Sequence, residues 1–367
     1  MRNDRRLALV LACALVTLAA CSDDAKVDPA TGPLFAAGDT AYCLTLGADY
    51  TSNVGTLAGI ALPSLTVTKD LLHGAASGDP VIRAANGKIF IVNRSAANVT
   101  VIDQATFTVE RQFSTGSSSN PQDIAVTGSK AYVATLGTGS LQVWDLASAA
   151  TAPAATIDLS SYDPDGVPDA SSVAIHGDRA FVTLELLDDQ FTPRGVGKVV
   201  VIDTGSNAVV ADFDLTFANP TGFLAASGDT LLVETVADYS GVDGCVETID
   251  TGAPGTGDCL VENAELMGTV SSIAVAGSTT YLAVSAADFS SAGLYSVSGG
   301  TESPALTPAT ESVSDVAVAP TGVVVYSDSA GGGIRVYDPA HHAEVTSAAL
   351  DIGLAPAFAG GIVCLSR

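Results

Sequence analysis

The stretch that decides the fold is Ile89-Phe90-Ile91-Val92-Asn93, followed after a short gap by Asn98-Val99-Thr100-Val101-Ile102-Asp103. Its β-branched and aromatic residues favour strands, and the small polar segment between them, residues 94–97, predicts a tight loop. The pair extends outward over residues 81–112, and weaker copies of it recur towards the C-terminus. A repeat of a few tens of residues decides the architecture before any local feature does.

Two marks recur at regular intervals. The first is a strand of small apolar residues that ends in a glycine turn and leads directly into an alternating strand; its glycines are Gly38, Gly87, Gly128, Gly177, Gly228, Gly277 and Gly322, with a partial copy at Gly360. The second is a strand that ends in two apolar residues and aspartate, at Asp103, Asp145, Asp203, Asp250 and Asp338, with degenerate versions at Ile60 and Tyr295.

The glycines from Gly38 to Gly322 lie 41 to 51 residues apart, the spacing of propeller blades with four strands each, A to D. The second mark occurs seven times. The sequence therefore predicts an all-β chain that forms one seven-bladed β-propeller over residues 34–367. The partial copy gives eight first marks, so an eight-bladed ring is the alternative. The extra copy of the first mark predicts that the C-terminus returns to the first blade. There it would pair beside the strand of Cys43 and remove an exposed sheet edge.

A family resemblance agrees with this architecture. The sequence from Ile91 to Asp103, together with Asn120-Pro121-Gln122-Asp123-Ile124-Ala125-Val126, resembles the repeat of YVTN-type β-propellers, which are related to the NHL and WD repeats. The resemblance extends over most of the chain. It implies a propeller that is a surface or periplasmic protein or, in a related branch, a lactonase-like enzyme.

The N-terminus predicts export. Arg2, Arg5 and Arg6 precede an apolar run, residues 7–18, that is too short to span a bilayer comfortably. Leu18-Ala19-Ala20-Cys21 resembles a bacterial lipobox, which implies removal of residues 1–20 and acylation of Cys21, for instance with palmitate; an ordinary secretory signal is the alternative. Ser22 after the cysteine favours the outer membrane. Residues 21–33 are expected to form a flexible tether.

Four cysteines remain once Cys13 leaves with the signal and Cys21 carries lipid. In an oxidising compartment this even number fits two disulfides, although the sequence allows three connectivities. We expect Cys245 to pair with Cys259, which lies in the same loop-rich segment. We expect Cys43 to pair with Cys364, which would join the first repeat to the last. Four free thiols are the alternative.

The chain is strongly acidic, with 40 acidic and 15 basic residues and a formal net charge of −25. Such a surface repels phosphate backbones, so nucleic acid is not expected as a partner. The acidity could equally be an adaptation for solubility or high salt. A monomer is expected.

The topology of a propeller sorts residues between two faces. The B–C and D–A loops meet on one face, here called the loop face, and the A–B and C–D turns meet on the other, the turn face. The long segments 160–168, 187–197 and 237–244 belong to the loop face. The candidate metal-binding or ligand-binding residues of the loop face are Asp49, Asp163, Asp165, Asp169, Asp188, Asp189, Asp238, Asp288, Asp328, Arg94 and Arg194.

Two patterns supply these candidates. Asp49, Asp238 and Asp288 each precede an aromatic residue, so they could line the channel mouth and hold a cation or ligand, or each could accept N–H groups of its own loop. Residues 162–169 have the alternating oxygen donors and glycine of calcium loops but lack the closing glutamate of an EF-hand. Calcium and a plain Asp-Gly turn therefore both remain open, and no cofactor is required.

Catalytic patterns are weak. His176, His341 and His342 fall on the turn face and His73 on the loop face, so the sequence shows no histidine cluster for zinc or for a nucleophile. We therefore predict a lipid-anchored binding or scaffold protein of the bacterial envelope, anchored in the membrane by its lipid, with a protein, peptide or glycan partner at the loop face.

The alternative function is a lactonase-like hydrolase that uses loop-face carboxylates and a divalent cation, with Asp188, Asp189 and Arg194 as its residues. The blades around Glu185 and Val236 depart most from the template of residues 81–112. We expect the functional residues in those blades, because almost every residue of the other blades is needed for packing.

Overall fold

The computed structural model describes residues 32–237, 242–288 and 290–367. Their strands form seven antiparallel sheets, and each sheet is one blade of a β-propeller. The prediction of seven four-stranded blades is confirmed, and the eight-bladed alternative is wrong.

The strands follow the chain from blade to blade. The first blade contains β1 (Ala41–Asp49), β2 (Val54–Leu62) and β3 (Val67–Thr68), and the second contains β4 (Pro80–Ala85), β5 (Lys88–Asn93), β6 (Asn98–Asp103) and β7 (Thr108–Ser114). The third contains β8 (Pro121–Thr127), β9 (Lys130–Thr135), β10 (Ser140–Asp145) and β11 (Ala155–Asp158) and is followed by a 3-10 helix, Ser160–Tyr162. The fourth contains β12 (Ala170–His176), β13 (Arg179–Leu184), β14 (Lys198–Asp203) and β15 (Ala208–Asp214).

The remaining blades continue in the same order. The fifth contains β16 (Ala225–Ser227), β17 (Thr230–Val236), β18 (Gly244–Asp250) and β19 (Gly255–Glu262) and is followed by a one-turn helix, α1 (Asn263–Leu266). The sixth contains β20 (Gly268–Ala276), β21 (Thr279–Ala286), β22 (Ala292–Ser298) and β23 (Thr301–Glu302). The seventh contains β24 (Val316–Val318), β25 (Val324–Asp328), β26 (Gly333–Asp338) and an outer strand in two pieces, β27 (Ala343–Glu344) and β28 (Leu350–Asp351), before the last strand, β29 (Ile362–Ser366).

Alternation along each strand explains how the blades pack. Successive side chains of a strand point to opposite faces of its sheet. In β5, Ile89 and Ile91 therefore pack against the first blade, while Phe90 and Val92 pack against the third. Both faces of the middle strands are buried in this way, and one apolar cluster fills each junction between consecutive blades in the described residues.

The ring closes through the last strand. β29 pairs antiparallel with β1 and is the innermost strand of the first blade. Cys43 lies directly opposite Cys364, and the two form a disulfide. The predicted return of the C-terminus to the first blade is thus confirmed, as is the second disulfide, between Cys245 and Cys259.

One detail of the repeat differs from the prediction. The first copy of the glycine mark, around Gly38, has no strand A of its own, because residues 36–39 form a turn in which Ala36 donates its N–H to Asp39 Oδ2 at 2.6 Å. β29 supplies the missing inner strand. This explains why eight first marks accompany seven blades.

Both ends of the described ring lie on the turn face. The Leu34 N–H donates to Thr68 Oγ1 at 2.9 Å, and the Phe35 ring packs edge-on against Tyr42 with 5.6 Å between centroids. The Arg367 guanidinium lies 4.4 Å from the centroid of Phe35. The chain therefore enters and leaves the propeller on the same side. Among the described residues, no helix has the length and hydrophobicity needed to cross a membrane.

Candidate functional site

A cavity of about 280 Å³ lies at the loop-face end of the central channel. Its walls come from the loop-face ends of inner and second strands and from the loops that join them. Its lining includes Arg94, Glu185, Thr221, Phe223, Val236 and Phe358. Because these residues belong to several blades, only the closed ring brings them together.

Phe223 forms the inner wall of the cavity. It precedes the short strand β16, and its ring centroid lies 4.0 Å from Arg83 Cζ and 6.0 Å from Arg94 Cζ. A side chain at Gly360 would place a Cβ 2.5 Å from Phe223 Cε2, and Gly360 has a φ of +68°. Only glycine is therefore compatible with the position of this ring, which separates Arg83 from the cavity.

Below the cavity, a polar network links the inner strands of four blades. Asp123 accepts hydrogen bonds from Arg83 Nε at 2.8 Å and from Ser172 Oγ at 2.9 Å. Ser172 Oγ in turn accepts the N–H of Leu224 at 3.0 Å. Buried hydrogen bonds of this kind hold neighbouring elements in one arrangement.

A matching network joins the other three blades. Asp315 accepts hydrogen bonds from Ser272 Oγ and from the Gly361 N–H, both at 2.7 Å. Burial raises the pKa of Asp315 above its usual value, and these hydrogen bonds oppose the shift. The wall beneath the cavity is thus held by hydrogen bonds across every blade of the ring.

Two ionisable side chains line the cavity from different blades. Arg94 lies between β5 and β6, and Glu185 follows the last residue of β13. Burial, together with the charge of Asp169, raises the pKa of Glu185 to about 8, while Ser171 and Arg94 oppose the shift. At neutral pH Glu185 is therefore mainly protonated, and the Arg94 guanidinium is the charged group of the pair.

The repeated aspartates lie elsewhere and cap their own loops. Asp49 accepts the N–H of Thr51 at 2.9 Å and the hydroxyl of Ser52 at 2.6 Å. Asp288 accepts the N–H of Ser290 at 3.0 Å. These two aspartates do not line the cavity, and Asp238 lies outside the described residues. The aromatic residue after Asp49 has a different contact, since the Tyr50 hydroxyl accepts the N–H of Phe358 at the rim of the cavity, at 2.9 Å.

The segment from Asp163 to Asp169 forms an acidic cluster beside the channel. Arg194 lies between two of its carboxylates, with Nε 3.2 Å from Asp163 Oδ1 and Nη2 2.7 Å from Asp165 Oδ2. Burial raises the pKa of Asp163, and burial with neighbouring negative charge raises that of Asp169 to about 6. The Gly166 N–H donates to the Asp163 carbonyl at 3.0 Å, as in a plain Asp-Gly turn.

The other predicted residues also have structural contacts. Asp188 accepts the N–H groups of Gln190 and Thr192, both at 2.9 Å, while Asp189 is exposed. Asp328 is buried and paired with Arg335 at 2.6 Å; although burial opposes it, this pairing lowers the pKa of Asp328. In the part of the chain that the structure describes, no three His, Cys, Asp or Glu side chains are arranged to hold a metal ion.

Sequence reasoning thus found part of the site. It named Arg94, and it pointed to the blades around Glu185 and Val236, both of which line the cavity. It missed Phe223, although the irregular Pro220-Thr221-Gly222-Phe223 before a shortened inner strand is a visible departure from the repeat. It also missed Asp123 and Asp315, whose positions just before the apolar residues of inner strands recur with the blades.

Comparisons with known proteins agree with this fold. Neither a protein-family model nor a curated protein matches the sequence. Among solved structures, a chain of Kuenenia stuttgartiensis hydrazine synthase aligns with a TM-score of 0.56 at 17% identity, over 76% of this chain and 80% of that one. The computationally designed Ika8 protein aligns with a TM-score of 0.53 at 13% identity, over 88% and 96% of the two chains.

A further structural neighbour is apo AztD from Citrobacter koseri, a β-propeller, with a TM-score of 0.53 at 14% identity over 89% of this chain and 98% of that one. At these identities the likeness supports the fold alone. The chain is a seven-bladed β-propeller with a cavity at one end of its channel, and its resemblance to the YVTN-type repeat stays a prediction.

Proposed function

We propose that this chain is a binding protein of the bacterial envelope that holds its ligand in the loop-face cavity. The observation that carries the proposal is the cavity itself, with a cation, a carboxyl and an aromatic wall at the end of the channel. Concave sites with a mainly apolar lining and a few convergent polar groups are where proteins bind small molecules or the tips of larger partners. The partner would be a protein, peptide or glycan with a terminal group small enough to enter the cavity.

The contrast between the two faces supports this assignment. On the turn face, the aspartates that end the C strands cap short turns: Asp103 accepts the N–H of Thr106, and Asp203 that of Ser206, both at 2.7 Å. Asp49 and Asp288 cap loop-face segments in the same way, so the two faces differ in the length of their segments and not in the role of these aspartates. The loop face carries the longer segments and the cavity, so it has the surface that is free to vary without disturbing the blades.

Filling the cavity tests the proposal. A panel of short peptides and monosaccharides is offered singly, and binding is followed by ligand-observed NMR. We expect at least one compound to bind wild-type protein, and we expect its affinity for Thr221→Trp to be lower by about tenfold or more. Thr221 is an exposed residue of the cavity wall, so a tryptophan there would fill the cavity. Thr108→Trp, at an exposed position of the outer strand β7, is the control. If no compound binds, or if Thr221→Trp binds as wild type does, the proposal fails.

We further propose that the protein is anchored at the envelope by lipid on Cys21. The motif Leu18-Ala19-Ala20-Cys21 supports this location. Cells grown with radiolabelled palmitate should label the wild-type chain, and Cys21→Ala should abolish the label. Cys13→Ala, in the expected signal, is the matched control and should keep it. Persistent labelling of Cys21→Ala would remove the proposal.

A further inference from the structure

The Arg94 guanidinium is only partly compensated by the protein. Its side chain is 18% exposed, and its nearest acidic partner is Asp79, with Nε and Oδ1 3.8 Å apart, beyond hydrogen-bond distance. Arg94 Nε is buried and has no hydrogen-bond partner among the described residues. Because Nε is enclosed, the exposed part of the Arg94 side chain is what a ligand in the cavity can reach, and a guanidinium suits a carboxylate, which it can bind through two parallel hydrogen bonds.

Glu185 does not cancel this charge at neutral pH. Three groups act on its carboxyl group: Asp169 raises its pKa, whereas Ser171 and Arg94 lower it, and burial outweighs both opposing contributions. Asp169, with a pKa of about 6, is already ionised above neutral pH, so its effect changes little between pH 7 and 9. A protonated Glu185 can donate a hydrogen bond, and a ligand carboxylate can accept it.

The remaining walls are suited to an apolar group. Phe223 and Val236 both line the cavity, and Phe358, which also lines it, is 58% exposed. An exposed aromatic side chain at the rim of a cavity offers apolar surface that a ligand can cover. A volume of about 280 Å³ is enough for a small aromatic or aliphatic group with its carboxylate.

We infer that the ligand of this cavity is a carboxylate with an adjoining apolar group, bound by Arg94 and by a hydrogen bond from the Glu185 carboxyl. The inference rests on the proposed function and adds the ligand class. Two sources supply this chemistry, the C-terminus of a peptide and a free organic acid.

Calorimetry with paired probes tests the ligand class. N-acetyl-phenylalanine is compared with its amide and with phenethylamine, and N-acetyl-Ala-Ala-Phe with its own amide. At pH 7 we expect each acid to bind about tenfold tighter than its amide. A tighter tripeptide acid indicates a peptide C-terminus, and a tighter amino-acid derivative indicates a free organic acid. Arg94→Gln should abolish the preference for the acid, and Arg94→Lys should keep most of it.

The pH dependence of ligand affinity shows whether Glu185 binds the ligand or has only a structural role. Binding of the acid to wild-type protein should weaken about tenfold from pH 7 to 9, because Glu185 loses its proton and then repels the ligand. Glu185→Gln keeps a neutral donor and should remove this pH dependence. A wild-type profile that stays flat over this range would overturn the role of Glu185.

Three outcomes would overturn the ligand class. Equal binding of acid and amide, or tightest binding of the amine, would show that the cavity binds a ligand of another kind, and the proposed function would stand. Failure of all five probes would also overturn it. The proposed function fails separately, if no compound of the wider panel of peptides and monosaccharides binds or if Thr221→Trp binds them as wild type does.

Discussion

Replacing both Cys43 and Cys364 by alanine is expected to lower the free energy of unfolding by about 5 kcal/mol. The disulfide closes a loop with a sequence separation of 321 residues, so it restricts the unfolded chain far more than a local bridge does. In the folded state it joins β1 to β29, which is the contact that closes the ring. The measurement is urea denaturation of the oxidised proteins at equilibrium.

The other disulfide provides an internal control. Cys245 and Cys259 are separated by 14 residues, and removing both should cost about 3 kcal/mol by the same reasoning. Because both double variants lose one disulfide, the difference between them isolates the contribution of ring closure. A smaller loss for the Cys43 and Cys364 pair than for the local pair would contradict the role of β29 as a lock.

The largest expected pH effect comes from Glu234, a fully buried residue of β17. Its Oε1 accepts hydrogen bonds from Asn263 Nδ2 at 2.9 Å and from the Val270 N–H at 3.0 Å, and its Oε2 has no partner among the described residues. Burial, with a contribution from the charge of Glu247, raises the pKa of Glu234 to about 8. The folded protein therefore holds the protonated acid at neutral pH.

We expect Glu234→Gln to be more stable than wild type by about 4 kcal/mol at pH 8 and by only about 1 kcal/mol near pH 5. The folded state keeps its proton up to a pKa of about 8, while the unfolded chain releases it near the ordinary value of 4.5. The stability that Glu234 contributes is thus complete below pH 4.5 and is lost as the pH rises through 8. Glutamine keeps the acceptor oxygen and has no proton to lose.

The measurement is the free energy of unfolding of the two proteins between pH 5 and 9. Glu302→Gln, at an exposed position of β23, is the matched control and should follow the wild-type profile. Other titrating groups affect all three proteins alike, so the difference isolates Glu234. A Glu234→Gln protein that is less stable than wild type at pH 8 would show that the buried group is a paired carboxylate.

The blades could be predicted because their signal is local and repeated. Ile89 and Phe90 are neighbours in the sequence, and alternation alone assigns them to opposite faces of one strand. Asp103 and Asp203 cap their turns through residues only three positions away. The return of the C-terminus to the first blade was predicted from the extra copy of the glycine mark and from the cysteines, and β29 confirms it. The absence of a strand A around Gly38 was not predicted, because the local sequence there resembles the other copies.

The cavity was predicted only in part because its chemistry depends on distant residues. Asp49 and Asp288 form a conspicuous pattern, yet the contacts that the structure shows for them are hydrogen bonds within their own loops. Glu185 is a single glutamate in the sequence, and its high pKa arises from burial and from the surrounding blades. Periodicity identifies residues that build the fold, whereas the site is formed by residues that depart from the period.

The two ends of the described chain and the cavity lie on opposite faces of the propeller. Leu34, Phe35 and Arg367 lie on the turn face, and the cavity opens on the opposite, loop face. A tether that enters the propeller at Leu34 therefore joins it on the side opposite the cavity, so an anchor on that tether leaves the mouth of the cavity accessible to ligands. Attachment through the turn face and ligand binding at the loop face would thus use separate surfaces of the propeller.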